Sequence, residues 1–286
     1  MDIKTALNRA GIKLRAKKIN SADWDAELLL GSVLRQSKEF VISHRDDRLT
    51  SGQRKKFERL IARRSKHEPL AYILKHKEFF GLDFLVDKNV LIPRPETEIL
   101  VEYAINFAAA SGKKKLTIAD IGTGSGCIAV CLKKYLPQSA VTALDKSAKA
   151  LAVAKKNANR HQVRIKFKLG NLLFPLNKIK YDIIVANLPY LDDNSAKAIN
   201  KYQTNELKYE PAIALFCGRK GLELYEKLFH QINQLEYQPG LILGEIDPRQ
   251  SIRIKTLVKK YFPAWQGRII KDFSGFDRLL IIQRDL

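Results

Sequence analysis

The stretch that decides the fold is Leu116-Thr117-Ile118-Ala119-Asp120-Ile121-Gly122-Thr123-Gly124-Ser125-Gly126, in which an apolar segment runs directly into a glycine-rich loop. Glycine lets the backbone turn sharply and approach a ligand closely. A dinucleotide-binding fingerprint would read GxGxxG, whereas this loop reads GxGxG and is followed by Cys127 and Ile128. We therefore predict a strand, a tight loop that meets a nucleoside cofactor, and a helix that begins at Cys127.

Strand and helix patterns alternate on both sides of this loop. The predicted strands are Leu116–Ile121, Ala140–Leu144, Arg164–Leu169, Tyr181–Ala186, Leu241–Glu245 and two final strands that flank Phe273–Asp277. The predicted helices are Glu96–Ala110, Cys127–Leu136, Ser147–Arg160, Leu222–Gln234 and Ser251–Tyr261. Such alternation is typical of an α/β fold with a parallel, doubly wound sheet, which binds ligands at the carboxyl ends of its strands.

Two polar residues follow the next two predicted strands. Asp145 comes about 20 residues after the loop, where a carboxylate can accept hydrogen bonds from both ribose hydroxyls of a nucleoside. It could also act as a helix N-cap, and the two roles are compatible. Asn171 follows the strand Arg164–Leu169. Its side-chain oxygen could accept a hydrogen bond from an adenine amine, or the residue could be an ordinary turn residue.

The tetrapeptide Asn187-Leu188-Pro189-Tyr190 ends the apolar run Tyr181–Ala186. An amide nitrogen is a poor nucleophile, so methyl transfer to it requires the group to be oriented, desolvated and polarised. Asn187 can accept one amide N–H and the Leu188 carbonyl the other, since Pro189 favours an extended conformation at Leu188. Tyr190 can pack against a planar substrate. Together with the glycine loop, the tetrapeptide predicts methylation of a nitrogen in a planar group.

The first 76 residues show helical periodicity and predict a small helical domain. Ser21 and Thr50 or Ser51 are predicted N-caps, and residues 77–90 predict a β-hairpin connector to a second domain over residues 91–286. A basic stripe is predicted along one helix, either as a solvated face or as a surface for rRNA or an acidic partner. Its members are Arg54, Lys55, Lys56, Arg59, Arg63, Arg64 and Lys66.

Composition narrows the class of protein. The 286 residues carry a net charge of +21, spread almost in proportion to length, which argues against a single nucleic-acid patch. We find no signal-peptide core and no apolar stretch near the ~18 residues of a membrane helix, so we expect a cytoplasmic protein. The three cysteines do not form a secreted disulfide framework, and Cys127 and Cys131, four apart on a predicted helix, are expected to be small core residues. The scattered histidines predict no metal site.

Several motifs, in order along the whole chain, resemble the HemK/PrmC family, the glutamine methyltransferases of class I peptide-chain release factors. The matching segments are Pro69–Leu74, Glu78-Phe79, Ile92–Glu98, Asp120–Gly126, Asn187–Tyr190, Glu210-Pro211, Ala214-Leu215, Gly221-Leu222 and Asp272–Arg278. The resemblance implies a class I methyltransferase fold, which is Rossmann-like with a mostly parallel seven-stranded sheet. It also implies that this domain is preceded in sequence by a helical domain that holds the protein substrate.

The resemblance also implies the reaction and the site. The methyl group of S-adenosylmethionine would pass to the side-chain amide nitrogen of the glutamine in a Gly-Gly-Gln motif of a release factor, and direct nucleic-acid binding would not be required. Implied cofactor residues are Gly122, Thr123, Gly124, Ser125, Gly126, Asp145, Asn171, Leu172 and Asn187. Implied substrate residues are Asn187, Leu188, Pro189, Tyr190, Arg94 and Thr97.

The chain departs from the family pattern at a few positions. The family usually reads Asn-Pro-Pro-Tyr, so Leu188 stands where a rigid proline is usual, and the glycine expected near Lys75 is absent. Lys220 and Asn171 stand where acidic residues are common, and Leu172 replaces a bulkier neighbour beside the adenine.

Three other functions remain open from the sequence. One is methylation of a glutamine in a large-subunit ribosomal protein, by a sister family with the same tetrapeptide. Another is methylation of an adenine or guanine amine in nucleic acid, although no nucleic-acid module is recognisable. The last is a non-catalytic binding protein, which the intact Asn187, Pro189, Tyr190 and Asp145 disfavour.

Overall fold

The computed structural model describes residues 1–174, 179–192 and 206–284. Packing divides them into two units. The first unit contains Met1–His76 and residues 206–209, and the second contains the described residues of 77–192 and 210–284. The described residues 206–209 pack with the first unit although they are distant from it in sequence. The three-part domain division of the sequence analysis stays a prediction.

The first unit consists of helices around one apolar core. Their bounds are Ile3–Arg15 (α1), Ala22–Leu34 (α2), Lys38–Ser43 (α3), Ser51–Arg64 (α4) and Leu70–Leu74 (α5). Side chains cap three of them at their first turn: Asp2 accepts a hydrogen bond from the Thr5 N–H at 2.6 Å, Ser37 accepts from the Phe40 N–H at 3.2 Å, and Thr50 forms a capping box with Gln53. Ser21 precedes α2, but its side chain makes no capping hydrogen bond.

The predicted basic stripe on α4 is only partly a surface feature. Arg64 is buried, and its guanidinium donates to Asp25 and to Glu206 at 2.6 Å each. Arg63 donates through Nε to Glu68 at 2.8 Å. The guanidinium of Arg64 can bind two carboxylates because the donors of this planar group point outward in a fixed fork. The stripe prediction is therefore wrong for Arg64, which is part of the core rather than of a charged face.

A short hairpin, which begins at the last residue of the first unit, is fastened to the glycine loop. Its strands, His76–Phe79 (β1) and Leu82–Leu85 (β2), form a two-stranded sheet. The buried Asn157 side chain accepts from the Leu85 N–H at 2.7 Å and donates to the Leu85 carbonyl at 2.9 Å. Its Nδ2 also donates to the Ser125 carbonyl at 2.8 Å. One amide thus holds the hairpin and the end of the glycine loop together.

Among the described residues, seven strands form one sheet in the order β5-β4-β3-β6-β7-β9-β8. Their bounds are Thr117–Ile121 (β3), Ala140–Asp145 (β4), Lys166–Leu169 (β5), Ile183–Ala186 (β6), Leu241–Glu245 (β7), Gln266–Lys271 (β8) and Asp277–Gln283 (β9). Strands β3 to β7 are parallel, and β9 runs antiparallel to β7 and β8. The predicted α/β fold class is confirmed.

Helices cover this sheet. Their bounds are Glu98–Ala110 (α6), Cys127–Tyr135 (α7), Ala148–Arg160 (α8), Ala212–Leu215 (α9), Glu223–Asn233 (α10) and Ser251–Tyr261 (α11). Single 3₁₀ turns are formed by Pro95–Thr97, Leu207–Tyr209 (in the first unit) and Pro248–Gln250.

Successive residues of the central strands enter two different apolar clusters. In β6, Ile183 and Val185 belong to the cluster with α6 and α7, whereas Ile184 and Ala186 belong to the cluster with α10 and α11. Side chains alternate between the faces of a strand, so both faces of this sheet are covered. Burial on both faces explains why the sequence of β6 is an unbroken apolar run.

A substitution at Lys75 tests how the end of α5 affects the stability of the first unit. This residue ends α5 with φ +66°, a left-handed conformation that strains an L side chain and suits glycine. We expect Lys75→Gly to raise the free energy of unfolding by about 0.5–1 kcal/mol in chemical denaturation. The matched control is Lys55→Gly in the exposed interior of α4, which should lower it by about 1 kcal/mol. A loss of stability with Lys75→Gly would contradict this account.

Candidate active site

The carboxyl ends of β3 and β6 lie side by side in the centre of the sheet. The register pairs Ile121 of β3 with Ala186 of β6, so Gly122 and Asn187 leave the sheet as neighbours. After β3 the strand order proceeds through β4 and β5, and on the other side of β3 it proceeds through β6 and β7. A crevice opens where the strand order reverses, and ligands bind there in open α/β sheets.

The glycine loop depends on its glycines for conformation and for space. Gly122, Gly124 and Gly126 have φ of +74°, +55° and +82°, values that L side chains rarely adopt. A Cβ on Gly126 would lie 3.0 Å from the Cβ of Ala154 on α8, so this glycine also permits close helix packing. The Gly122 and Thr123 N–H groups both donate to the Leu144 carbonyl at 2.9 Å, which fastens the loop to β4.

Asp145, the last residue of β4, faces the same loop. One carboxylate oxygen accepts from the Gly124 N–H at 2.9 Å, and the other accepts from the Ser147 N–H at 2.8 Å. Ser147 itself caps α8, so the N-cap role falls to Ser147 rather than to Asp145. Burial raises the pKa of the Asp145 carboxyl. Each of its oxygens has a second lone pair for a ligand.

The residues after β5 form the end of the cleft next to Asp145. Asn171 is exposed, and Leu172 is buried with φ +58°. A left-handed leucine is uncommon, and it turns the chain back so that the Phe174 N–H reaches the Asn171 carbonyl at 3.3 Å. Both Asn171 and Leu172 line the cleft, and their contact with the adenine stays a prediction.

The cleft encloses about 940 Å³, including the part open to solvent. Predicted site residues that line it are Arg94, Thr97, Gly122, Thr123, Gly124, Ser125, Asp145, Asn171, Leu172, Asn187, Leu188 and Pro189. Gly126 and Tyr190 are not among its lining residues: Gly126 packs on α8, and the half-buried Tyr190 has its hydroxyl 3.5 Å from Glu245 Oε1. The cleft therefore joins the glycine loop to the tetrapeptide.

The side-chain amide of Asn187 is held by two residues. Its Nδ2 donates to the Thr97 hydroxyl at 3.0 Å and to Glu245 Oε2 at 2.9 Å. The Thr97 hydroxyl in turn donates to the same Glu245 oxygen at 2.5 Å. The nitrogen end of the amide therefore faces both acceptors, and the oxygen end is directed away from them, towards another partner.

Glu245 was missed by the sequence analysis as a functional residue. It ends β7, is buried, and lies next to β6, with its second oxygen 3.5 Å from the Tyr190 hydroxyl. Burial raises the pKa of its carboxyl, while the Thr97 hydrogen bond and the charge of Arg278 act in the opposite direction. The available signal was an acidic residue at the carboxyl end of a predicted central strand.

Arg94 is occupied by a partner in the chain. It forms an ion pair with the buried carboxylate of Glu210, which also accepts from the Ile92 N–H at 3.0 Å. Glu210 thereby fastens the segment around Arg94, and Thr97 is buried against Asn187 and Glu245. The structure thus gives both residues internal partners at the cleft, and their contact with substrate stays a prediction.

Backbone contacts fix the tetrapeptide from behind. The single proton of the Tyr225 hydroxyl is shared between the carbonyls of Ala186 at 3.1 Å and Glu245 at 2.6 Å, which links the ends of β6 and β7. The Gln250 side chain donates to the Tyr190 carbonyl at 2.9 Å. Both residues are buried, so the loop rests on a fixed base.

The segment Asp272–Arg278 forms the turn between β8 and β9. One Asp272 oxygen accepts from the N–H groups of Ser274 and Phe276 at 3.0 Å, and the other accepts from Arg278 Nε at 3.1 Å. Arg278 also donates to the Ile246 carbonyl at 3.2 Å. The turn therefore places the Arg278 cation near the buried end of β7.

The described residues lack a metal-binding cluster and a membrane-spanning helix. No set of three or more histidine, cysteine or acidic residues is arranged to hold a metal ion in residues 1–174, 179–192 and 206–284. None of the helices in those ranges combines the length and the apolar composition that a membrane crossing requires. Cys127 and Cys131 are buried core residues, and burial raises the pKa of the Cys127 thiol to about 12.

The sheet order, the glycine loop and the cleft at the reversal of strand order define a class I methyltransferase fold. The catalytic domain of hMettl16, solved with a MAT2A 3′UTR hairpin, superposes with a TM-score of 0.57 at 19% identity and covers 79% of this chain and 82% of that one. That likeness concerns the fold. Residues 97–206 match the methyltransferase small domain model, and residues 5–74 match the PrmC N-terminal domain model.

Proteins with similar sequences show to which family the chain belongs. The release factor glutamine methyltransferase of Koribacter versatilis is 34% identical over 283 residues, which cover 98% of each chain. The bifunctional methyltransferase of Rickettsia typhi is 37% identical over 277 residues, and the match spans about half, 53%, of its length. The chain belongs to the family of release factor glutamine methyltransferases.

Asp120 gives the site a pH-dependent stability. Its buried carboxyl accepts from the Thr123 hydroxyl at 2.6 Å, and burial raises its pKa to about 7. The unfolded chain loses this proton near pH 4, so ionisation favours the unfolded state increasingly from about pH 4 to about pH 7 and by a constant amount above.

The amide of Asp120→Asn cannot ionise. We therefore expect the free energy of unfolding of this variant to increase relative to that of the wild type as pH rises through this range. Denaturant titrations of both proteins between pH 4 and pH 8 measure the difference. A difference that does not change with pH would contradict the assignment.

Proposed function

We propose that this protein transfers a methyl group from S-adenosylmethionine to the side-chain amide nitrogen (N5) of the glutamine in the Gly-Gly-Gln motif of class I peptide-chain release factors. The observation that carries the proposal is the orientation of Asn187. Its Nδ2 group donates to Thr97 and Glu245, which directs its oxygen away from them and leaves that oxygen to accept an amide N–H in the cleft. The family relationship supports the same protein substrate.

The residues at the glycine loop suit the cofactor. Asp145 has lone pairs for the ribose hydroxyls, and the loop lets the backbone come close to a ligand. Asn171 and Leu172 offer an acceptor and an apolar surface for the adenine at the end of the same cleft. S-adenosylmethionine, when bound, supplies an electrophilic methyl group on a sulfonium.

The tetrapeptide would hold the glutamine for attack. Asn187 Oδ1 and the Leu188 carbonyl accept its two amide N–H bonds, which fixes the plane of the group and favours electron density on nitrogen. Tyr190 supports the loop that carries both acceptors. A new C–N bond forms as the S–C bond breaks, and the nitrogen then releases one proton, so no general base is needed for the attack.

The first unit has the PrmC N-terminal domain match and would hold the release factor. Its exposed basic residues on α4, without Arg64, are available for such a contact. We further propose that the enzyme acts in the cytoplasm, where release factors work, and that it does not need to bind nucleic acid directly.

The substrate test compares three purified acceptors with labelled S-adenosylmethionine. They are a release factor, its Gly-Gly-Ala variant, and ribosomal large subunits. We expect label on the first and not on the second, because only the glutamine provides the amide. Label on ribosomal material alone, sorted by protease and nuclease treatment, would replace this proposal with a ribosomal protein or an rRNA amine as substrate.

Asn187→Ala separates turnover from cofactor binding. We expect turnover on release factor to fall about 100-fold, as for the loss of one preorganised polar contact, with near-normal affinity for S-adenosylmethionine. Steady-state kinetics and calorimetry measure the two quantities. Asn159→Ala, on the exposed face of α8, is the matched control and should leave both unchanged. Near-full turnover by Asn187→Ala would disprove the amide clamp.

Asp145→Ala should have the converse effect. We expect about tenfold weaker binding of S-adenosylmethionine, because the ribose loses its acceptors and the Gly124 N–H loses its partner. Calorimetric titration measures it, with the exposed Asp46→Ala as control. Unchanged affinity would show that the ribose is held elsewhere.

A further inference from the structure

We propose that Glu245 is a positioning residue that fixes the Asn187 amide with its oxygen towards the cleft, and that it thereby makes the site select a primary amide over a carboxylate. The inference rests on the proposed function and deepens it, since it explains why a glutamine is accepted and a glutamate is not. Glu245 touches neither ligand in this account and acts through Thr97 and Asn187.

The hydrogen bonds of this cluster direct the Asn187 amide nitrogen towards Thr97 and Glu245. Thr97 has one hydroxyl proton, which it donates to Glu245 Oε2 at 2.5 Å, so its oxygen can only accept from Asn187. Glu245 Oε2 accepts from Asn187 as well, at 2.9 Å. Both positions that face the Asn187 amide are therefore acceptors, and the amide nitrogen must point towards them.

The reversed amide would be strongly disfavoured. Rotation by half a turn would put Asn187 Oδ1 about where Nδ2 lies, against the Thr97 oxygen and Glu245 Oε2, with no proton between them. Thr97 and Glu245 are buried, so water cannot restore the lost bonds. This holds in either protonation state of Glu245, provided that any proton sits on Oε1, on the side of the Tyr190 hydroxyl.

The fixed direction of the Asn187 amide makes the site select an amide over a carboxylate. An amide offers N–H donors to Asn187 Oδ1, whereas a glutamate carboxylate would face that oxygen without a proton. A site whose polar groups fit a donor rejects an analogue that lacks it, because the buried acceptor is left unpaired. If the Asn187 amide could turn over, its N–H₂ group would instead bind a carboxylate.

The test uses Glu245→Gln, Thr97→Val and Thr97→Ser. Glu245→Gln keeps the size of the side chain but introduces donors, so the Asn187 amide can turn over. Thr97→Val removes the bridging hydroxyl, and Thr97→Ser keeps it. We expect kcat on release factor to fall about 100-fold in the first two variants, with little change in KM or in affinity for S-adenosylmethionine. Thr97→Ser should retain activity.

A competitor distinguishes positioning from a general loss of structure. The Gly-Gly-Glu variant of the release factor should bind the wild type weakly, and the preference for Gly-Gly-Gln over Gly-Gly-Glu should fall at least about tenfold in Glu245→Gln. A protein that is merely destabilised would lose affinity for both. An unchanged preference in Glu245→Gln would overturn the proposal.

A second readout needs no substrate. In ¹⁵N-labelled wild type, the side-chain N–H protons of Asn187, assigned by their loss in Asn187→Ala, should exchange slowly because the amide nitrogen donates to the buried Thr97 and Glu245. Exchange should be at least about tenfold faster in Thr97→Val and Glu245→Gln and slow in Thr97→Ser. Equal rates in all proteins would refute the positioning role. If the wild type labels no release factor, the proposed function fails, and this readout still decides the role of Glu245.

Discussion

The parallel pairing of β3 with β6 is the constraint on which the rest of the site depends. It brings Ile121 beside Ala186, so the glycine loop and the tetrapeptide start from adjacent strand ends. A shift by one residue would send the alternating side chains of β6 into the wrong clusters, so the core fixes the register. The same packing that stabilises the sheet therefore sets the distance between the cofactor loop and the proposed amide clamp.

The buried Glu245 carboxyl at the end of β7 is stabilised by several polar partners. A buried carboxylate is costly unless polar partners surround it. Glu245 has Thr97 and Asn187 on one oxygen and the Tyr190 hydroxyl at the margin of hydrogen-bond distance on the other, and Arg278 supplies the opposing charge. Arg278 is itself fixed by the turn at Asp272. The turn between β8 and β9 thus contributes to the site without lining the cleft.

The sequence predicted those features whose meaning is local. Glycine spacing, a proline after an extended residue and alternation of strands and helices indicate the fold, the loop and the tetrapeptide by themselves. Glu245 could not be assigned in this way, because its role depends on Thr97 and Asn187, which lie 148 and 58 residues away along the chain. Arg64 joined the predicted basic stripe by its spacing, whereas its partner Asp25 lies 39 residues away on another helix.

Leu188 shows how the tetrapeptide keeps its shape without the first proline that is usual in the family. Proline restricts the backbone by its ring, whereas Leu188 is restricted by its side chain, which is buried in the apolar cluster next to Gly122. A Cβ at Gly122 would lie only 3.3 Å from Leu188 Cδ2, so the leucine fits because that position is glycine. Pro189 still favours an extended conformation at Leu188. Tertiary packing therefore replaces covalent rigidity, and the glycine loop and the tetrapeptide hold each other in place.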